Sequence, residues 1–280
     1  MNKNILVLGS EGQIGKPLSS FLSKNGYSVR GWDKKNSIAE DLSVAKNLPS
    51  LKADCEWADK VIFLAFEVGG SKYLAATDKT FNYIQENVQI MSHTFEALRD
   101  TKKPFLFSSS QMSNMHHTNY GFLKDLGERY ARTMDNSWIC RFWNVYGVED
   151  CEESKRHVIT DFINAAKHDH KISMRTKGIE ERQFLHVDDC TRAIFSWVKD
   201  DWDDPSQYYD ITSFEWSSIR DIAEIISGII GNVEVVAGTA DDQLQKMIKN
   251  PPDSYIRKFW KPILSIEEGI YKIINEESKQ

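Results

Sequence analysis

The chain has 280 residues, 41% hydrophobic and 27% charged, with a net charge of −6 at neutral pH. That length supports one large domain, or a domain with an attached lobe, and the acidic balance argues against a general nucleic-acid binder. No apolar run reaches the roughly 20 residues needed to cross a bilayer, and MNKNILVLGS passes straight into a strand-like pattern, so the expected setting is the cytoplasm, with neither membrane nor nucleic acid as partner. Cys55, Cys140, Cys151 and Cys190 are scattered without a CxxC pair. That fits free thiols better than disulfides or a zinc site, and no metal is expected.

Along the chain, Ile5-Leu6-Val7-Leu8 is a short continuous apolar run of the kind that forms a strand buried on both faces. It runs into Gly9-Ser10-Glu11-Gly12-Gln13-Ile14-Gly15, after which Leu18, Phe21 and Leu22 fall at helical spacing. A strand from Tyr27 to Trp32 ends at Asp33, and a weakly marked third unit follows, Asp41-Leu42 and a helical pattern to Leu51. Val61 to Ala65 reads as a strand, and about 78–99 as one long helix with Phe81, Ile84, Val88, Met91, Phe95 and Leu98 on its apolar face. Residues 105–107 read as a strand with three serines after it, 119–134 as a helix and 138–142 as a strand. Beyond about 147 the pattern loosens into helices near 156–168, 188–199, 216–230 and 266–276, with short strands near 171–175, 182–186, 208–211 and 233–236. The alternation implies an α/β fold with a doubly wound parallel sheet, and a smaller, mostly helical lobe beside the sheet or interleaved with it.

The glycine loop lies between a strand and a helix, the context in which such a loop binds a dinucleotide. Glycines permit a tight turn and close approach of a pyrophosphate, and a helix N-terminus favours negative charge. The spacing here is GxxGxxG. Asp33, at the end of the second strand, is placed to bond a ribose 2′-hydroxyl and to repel a 2′-phosphate, which favours NAD over NADP. Lys34 and Lys35 follow directly and pull the other way. In FLFSSSQMSNMHHTNYGFLK (105–124), Tyr120 and Lys124 fall one helical turn apart. A lysine ammonium beside a phenol lowers its pKa from about 10, making a proton-transfer group. The pairs His116-His117 and His168/His170 lack a third ligand, and His186 reads as a structural residue near the cleft.

Taken together and in this order, these motifs resemble the NAD-dependent epimerase/dehydratase family, extended short-chain dehydrogenase/reductases that act on nucleotide sugars. GSEGQIG, FLFSSSQMS, YGFLKDLGERYAR, RFWNVYG, RQFLHVDDCTRAI and the closing WKPILSIEEGI carry the resemblance from end to end. It implies a Rossmann-type NAD-binding domain over 1–147 and a nucleotide-sugar-binding lobe over 148–280. It implies that Gly9, Gly12, Gln13, Ile14, Gly15 and Asp33 hold NAD, with Asp41, Leu42, Leu64 and Ala65 lining its site. Tyr120 would take a proton from a sugar hydroxyl, Lys124 would lower the tyrosine's pKa and bond the nicotinamide ribose, and Ser110 would bond the same sugar oxygen. Asn144 and Arg182 fall where the family holds the substrate diphosphate; a strand-end cap and a salt bridge are their plainer readings. Gly69-Gly70 resembles the sugar-touching loop of the GDP-mannose 3,5-epimerase branch, which implies a GDP-linked sugar. Dimers built on the helices at about 78–99 and 119–134 are common in the family, implying a homodimer.

Departures from the family pattern narrow the chemistry. Met112 stands where the 3,5-epimerases carry a cysteine base, and no Asp-Glu pair follows Ser110 as in the 4,6-dehydratases. The stretch between Ser110 and Tyr120 is short, and Lys249 is the nearest match to a C-terminal diphosphate-binding base. Oxidation at a single carbon, C4, remains. A 4-keto sugar then either leaves, as from a dehydrogenase, or takes the hydride back, as in a 4-epimerase; the departures tilt toward the former. A non-catalytic NAD-binding regulatory protein is the rival, and it would be expected to lose Tyr120 or Lys124.

Overall fold

The computed structural model describes residues 3–148, 151–204, 207–242, 245 and 248–277. Its first half runs β1 (Asn4–Leu8), α1 (Gly15–Lys24), β2 (Ser28–Trp32), α2 (Leu48–Trp57), β3 (Lys60–Phe63), α3 (Ser71–Thr77), α4 (Phe81–Thr101), β4 (Phe105–Ser110), α5 (Asn119–Ala131) and β5 (Ser137–Phe142). The second half runs β6 (Asn144–Tyr146), α6 (Val158–Asp169), β7 (Lys171–Ser173), β8 (Glu181–Arg182), β9 (Phe184–His186), α7 (Val187–Lys199), β10 (Tyr208–Ile211), β11 (Ser217–Ser218), α8 (Ile219–Ile230), β12 (Glu234–Val236) and α9 (Ile266–Glu277).

Six strands form a parallel sheet in the order β10-β5-β4-β3-β1-β2. Alternate residues of each strand serve opposite cores. Ile5 and Val7 of β1 pack with α1 and α7, while Leu6 and Leu8 pack with α2, α4 and α5. Helices on both faces explain why these strands read as unbroken apolar runs. The chain steps from β1 out to β2 and then back across β1 to β3. In a doubly wound sheet that reversal opens a crevice at the carboxyl ends of the strands.

Beyond residue 147 the chain does two things. β10 returns to the six-stranded sheet beside β5, and α7 covers β1 and β5 with Trp197 fully buried. The helices α6, α8 and α9 close a separate apolar cluster around Ile159, Ile163, Ile222, Ile226, Ile270 and Ile273. Cys55, Cys140 and Cys190 are buried free thiols, and Cys151 is half-buried. No helix among the described residues is long and apolar enough to cross a membrane.

Three local expectations differ from the structure. The third unit forms no strand: residues 38–40 and 45–47 are single 3₁₀ turns. Side chains there satisfy the backbone in place of a sheet partner, with Asn47 Nδ2 donating to the carbonyls of Ile38 (2.8 Å) and Asp41 (3.0 Å). The long helix expected at about 78–99 is α4, whose start is set by Thr80, which accepts from the Tyr83 amide, and a short helix that was not expected, α3, precedes it. Phe81 and Val88 are exposed, Met91, Phe95 and Leu98 are buried as expected, and Tyr83, Asn87 and Thr94 share their buried stripe. Finally, the three serines do not follow the strand but complete it, since β4 extends to Ser110, which pairs with Phe142.

The break between α3 and α4 frees Asp78 for another task. Its buried carboxylate accepts from the amides of Asn119 (3.0 Å) and Tyr120 (2.7 Å), two donors that the first turn of α5 leaves unsatisfied. Asp78→Ala is expected to cost about 1.5–3 kcal/mol, the range for losing a buried hydrogen bond to a charged group. Urea unfolding followed by circular dichroism should show a lower midpoint, and an unchanged midpoint would refute the assignment.

Candidate active site

The carboxyl ends of β1, β3, β4 and β5 open into a cleft of about 980 Å3. The loop between β1 and α1 forms its floor. Gly9 has φ +89°, and a Cβ there would lie 2.7 Å from the Ala65 amide nitrogen; one on Gly15 would lie 2.0 Å from the Gly9 carbonyl oxygen. Glycine is therefore required at both positions for strand and helix to approach this closely. α1 starts with no side-chain cap, its Lys16 amide donates to the Gly12 carbonyl (3.1 Å), and its N-terminal end faces the cleft. Asp33 borders the same space and accepts from the Glu11 amide (3.0 Å) and the Lys35 amide (3.0 Å), which fixes its carboxylate beside the loop. A bare backbone cradle, an uncapped helix start and a fixed carboxylate fit a dinucleotide's diphosphate and ribose diol.

Farther along the cleft lie Ser108, Ser109, Ser110, Tyr120 and Lys124. Lys124 is 3% exposed, donates to the Ser108 carbonyl (2.7 Å), and sits 3.8 Å from the centroid of the Phe66 ring. Burial pulls its pKa down to about 7, against the raising influence of the Glu128 carboxylate one turn on. The Lys124 ammonium lies 5.9 Å from the centroid of the Tyr120 ring. The Tyr120 phenol is pushed up by burial and drawn partly back by its hydrogen bond with Ser110. Ser110 Oγ also accepts from the Met112 amide (3.2 Å), opening the 3₁₀ turn 111–114 that connects β4 toward α5. Burial is the dominant influence on both groups.

A buried network sets this geometry. Glu128 Oε1 accepts from Ser109 Oγ (2.6 Å), and both its oxygens take a bidentate pair from Arg141 (2.7 and 2.7 Å). The Arg141 guanidinium in turn stacks on Tyr208, 3.6 Å from its ring centroid. One carboxylate thus ties α5, β4 and β5 together behind the cleft.

Most of the residues singled out from sequence line this cleft: Gly9, Gly12, Gln13, Ile14, Gly15, Asp33, Asp41, Leu42, Leu64, Ala65, Gly69, Gly70, Ser110, Tyr120, Lys124 and Asn144. Gly70 has a further reason to be glycine, because a Cβ would lie 2.1 Å from the Arg156 carbonyl oxygen. The Asn144 amide donates to the Gln183 carbonyl (3.2 Å). Arg182 is not part of the lining; its guanidinium pairs with Asp242 and donates to the Glu181 carbonyl (2.7 Å). Lys249 is paired with Glu181. Sequence reasoning passed over Asp78, Glu128, Arg141 and Glu67. Of these, Glu128 alone carried a local signal, its position four residues beyond Lys124 on one helix face.

Fold and site define a dinucleotide-dependent α/β protein with a tyrosine–lysine pair beside its cofactor cleft. The chain belongs to the NAD dependent epimerase/dehydratase family, whose model matches residues 5–211, and its cofactor is NAD. Over 96% of its length it is 24% identical to the UDP-glucuronate 4-epimerase of Thermodesulfobacterium geofontis, covering 94% of that protein. Over 96% it is also 23% identical to the GDP-mannose 3,5-epimerase of Arabidopsis thaliana, covering 80%. Its fold is similar to that of the UDP-glucose 4-epimerase of Thermotoga maritima, with a TM-score of 0.82 at 19% identity and 99% of each chain covered.

The burial of Lys124 gives a direct test. In ¹³C-methylated protein, the Lys124 ε-amine should titrate near pH 7 by NMR rather than at its ordinary value near 10. Because the Glu128 charge supports the ammonium, Glu128→Gln should move the midpoint lower still. A midpoint that stays put in this variant would remove Glu128 from that role.

Proposed function

We propose that this enzyme oxidises a nucleoside-diphosphate sugar at C4, with Ser110, Tyr120 and Lys124 as its proton-handling group. The observation that carries the reading is the convergence of these three side chains on the cleft that begins at the glycine loop. NAD, when bound, supplies the acceptor for the carbon-bound hydrogen as hydride. The chain's own residues handle the oxygen. Ser110 Oγ hydrogen-bonds the sugar hydroxyl, Tyr120 as phenolate takes its proton and becomes the phenol, and Lys124 supplies the positive charge that stabilises the phenolate before the transfer. Phenol–amine and phenolate–ammonium carry the same number of protons, so a pair that has lost one proton already contains the base. Because burial pulls the Lys124 pKa down to about 7, kcat/KM is expected to fall as pH drops below about 7, with an apparent value that belongs to the pair.

A second reading is 4-epimerisation, in which the ketosugar stays bound and takes the hydride back on its other face. The end-to-end match to a protein named UDP-glucuronate 4-epimerase favours it. Both readings use the same first step. Met112 in the lining, where a titratable base would be needed, speaks against 3,5-epimerisation even though a GDP-mannose 3,5-epimerase is among the relatives. We further propose that the nucleotide sugar lies between the two parts of the chain, with Gly69, Gly70 and Asn144 near it, GDP-linked as the Gly69-Gly70 loop implies. A homodimer formed through α4 and α5 would cover the exposed Phe81, Val88, Phe122 and Tyr130, and the cytoplasm is the expected setting.

Purified protein incubated with NAD and a panel of GDP-, UDP- and dTDP-sugars should develop absorbance at the reduced-nicotinamide band with one of them, or yield its C4 epimer without net reduction. Product analysis from the same tubes separates the two readings; no change in any sugar would sink both. Tyr120→Phe should retain NAD binding while turnover falls by about 10²–10⁴-fold, the usual contribution of a positioned acid–base group.

A further inference from the structure

Lys34 poses a question of specificity, because a lysine directly after Asp33 is well placed to receive the 2′-phosphate of NADP. Its ammonium is already taken. It donates to Glu67 Oε2 at 2.7 Å and to Glu86 Oε1 at 2.5 Å. We infer that Glu67 and Glu86 form a clamp that withdraws Lys34 from the ribose site, and that they act with Asp33 as determinants of NAD over NADP.

Both acids are held in place by α4. Glu86 lies on that helix, and the next residue, the fully buried Asn87, accepts from the Glu67 amide (2.8 Å) and donates back to its carbonyl (3.2 Å). The Glu67 side chain is 8% exposed, and its other oxygen takes Tyr73 Oη at 2.6 Å and Lys155 Nζ at 2.5 Å. Burial works to raise its pKa, but the bonds from Lys155, Lys34 and Tyr73 outweigh it and hold the carboxyl down at about 2. For Lys34 burial works to lower the pKa, and the two glutamates outweigh that and hold the ammonium charged. Lys34 and Lys155 balance Glu67 and Glu86, so the clamp presents no spare cation to an incoming dianion. Lys35 turns toward the glycine loop instead, with its ammonium 3.4 Å from the Glu11 carbonyl oxygen. The carboxylate at Asp33 therefore remains the group that meets the ribose.

This inference concerns only how the NAD site discriminates, and titration calorimetry with NAD⁺ and NADP⁺ tests it without turnover. Wild-type protein should bind NAD⁺; failure to do so would defeat the cofactor reading itself. The double variant Glu67→Gln/Glu86→Gln should bind NADP⁺ at least about tenfold more tightly than wild type, with NAD⁺ affinity within about threefold. Adding Lys34→Ala should abolish that gain, whereas Lys34→Ala alone should leave both affinities unchanged. Glu86→Gln alone, at the more exposed end of the clamp, should give a smaller gain with the same dependence on Lys34 and covers the case in which the Glu67 variant fails to fold. No gain in either variant, or a gain that survives Lys34→Ala and disappears with Lys35→Ala, would overturn the assignment.

Discussion

The arrangement on which this molecule depends is a single carboxylate buried where three elements meet. Glu128 reaches from α5 to Ser109 in β4 and to Arg141 in β5, with its side chain 2% exposed. Such a buried pair adds little net stability over an apolar replacement, yet removing one partner costs about 3–5 kcal/mol because the other charge is stranded. Its value lies in register. Ser109 stands between the residue whose carbonyl holds Lys124 and the residue whose hydroxyl meets Tyr120. Fixing Ser109 to the helix that carries Tyr120 and Lys124 therefore fixes all three groups of the site relative to one another.

The same logic recurs at the edges of the cleft, where charged groups position other groups. Asp78 anchors the amides that begin α5. Glu67 joins Lys34, next to Asp33, to Lys155, in the segment leading into α6. Lys72 on α3 also pairs with Asp161 on α6 at 2.7 Å. The sheet's carboxyl edge and the helical cluster are thus cross-tied at the mouth of the cleft. A cleft bounded this way suits a ligand that spans both parts, as a cofactor and a nucleotide sugar bound together would.

Much of this was legible in the chain because it is written in local patterns. Apolar runs marked the strands, and the glycine spacing between β1 and α1 marked the cradle. The four-residue interval from Tyr120 to Lys124 placed both on one side of α5. The errors came where local signals competed. Asp41 and Leu42 opened a weakly marked unit, and there Asn47 and Ser43 supply hydrogen bonds that hold turns in place. The stretch 78–99 is one helix apart from its first turn, where Thr80 offers a cap and Asp78 finds partners in α5. Arg182 had a family counterpart at the substrate diphosphate, but Asp242, sixty residues away in the chain, occupies it.

The sequence by itself determined the layered α/β architecture, the tight glycine turn between β1 and α1 and the placing of Tyr120 and Lys124 one turn apart on α5, since each rests on periodicity or spacing within about twenty residues. Only the tertiary structure decided the electrostatics. Whether Lys34 is a free cation, whether Lys124 is charged at neutral pH, and whether Arg182 faces the cleft depend on burial and on carboxylates delivered from elsewhere in the fold. Desolvation and charge pairing are properties of the packed molecule, and no local pattern encodes them.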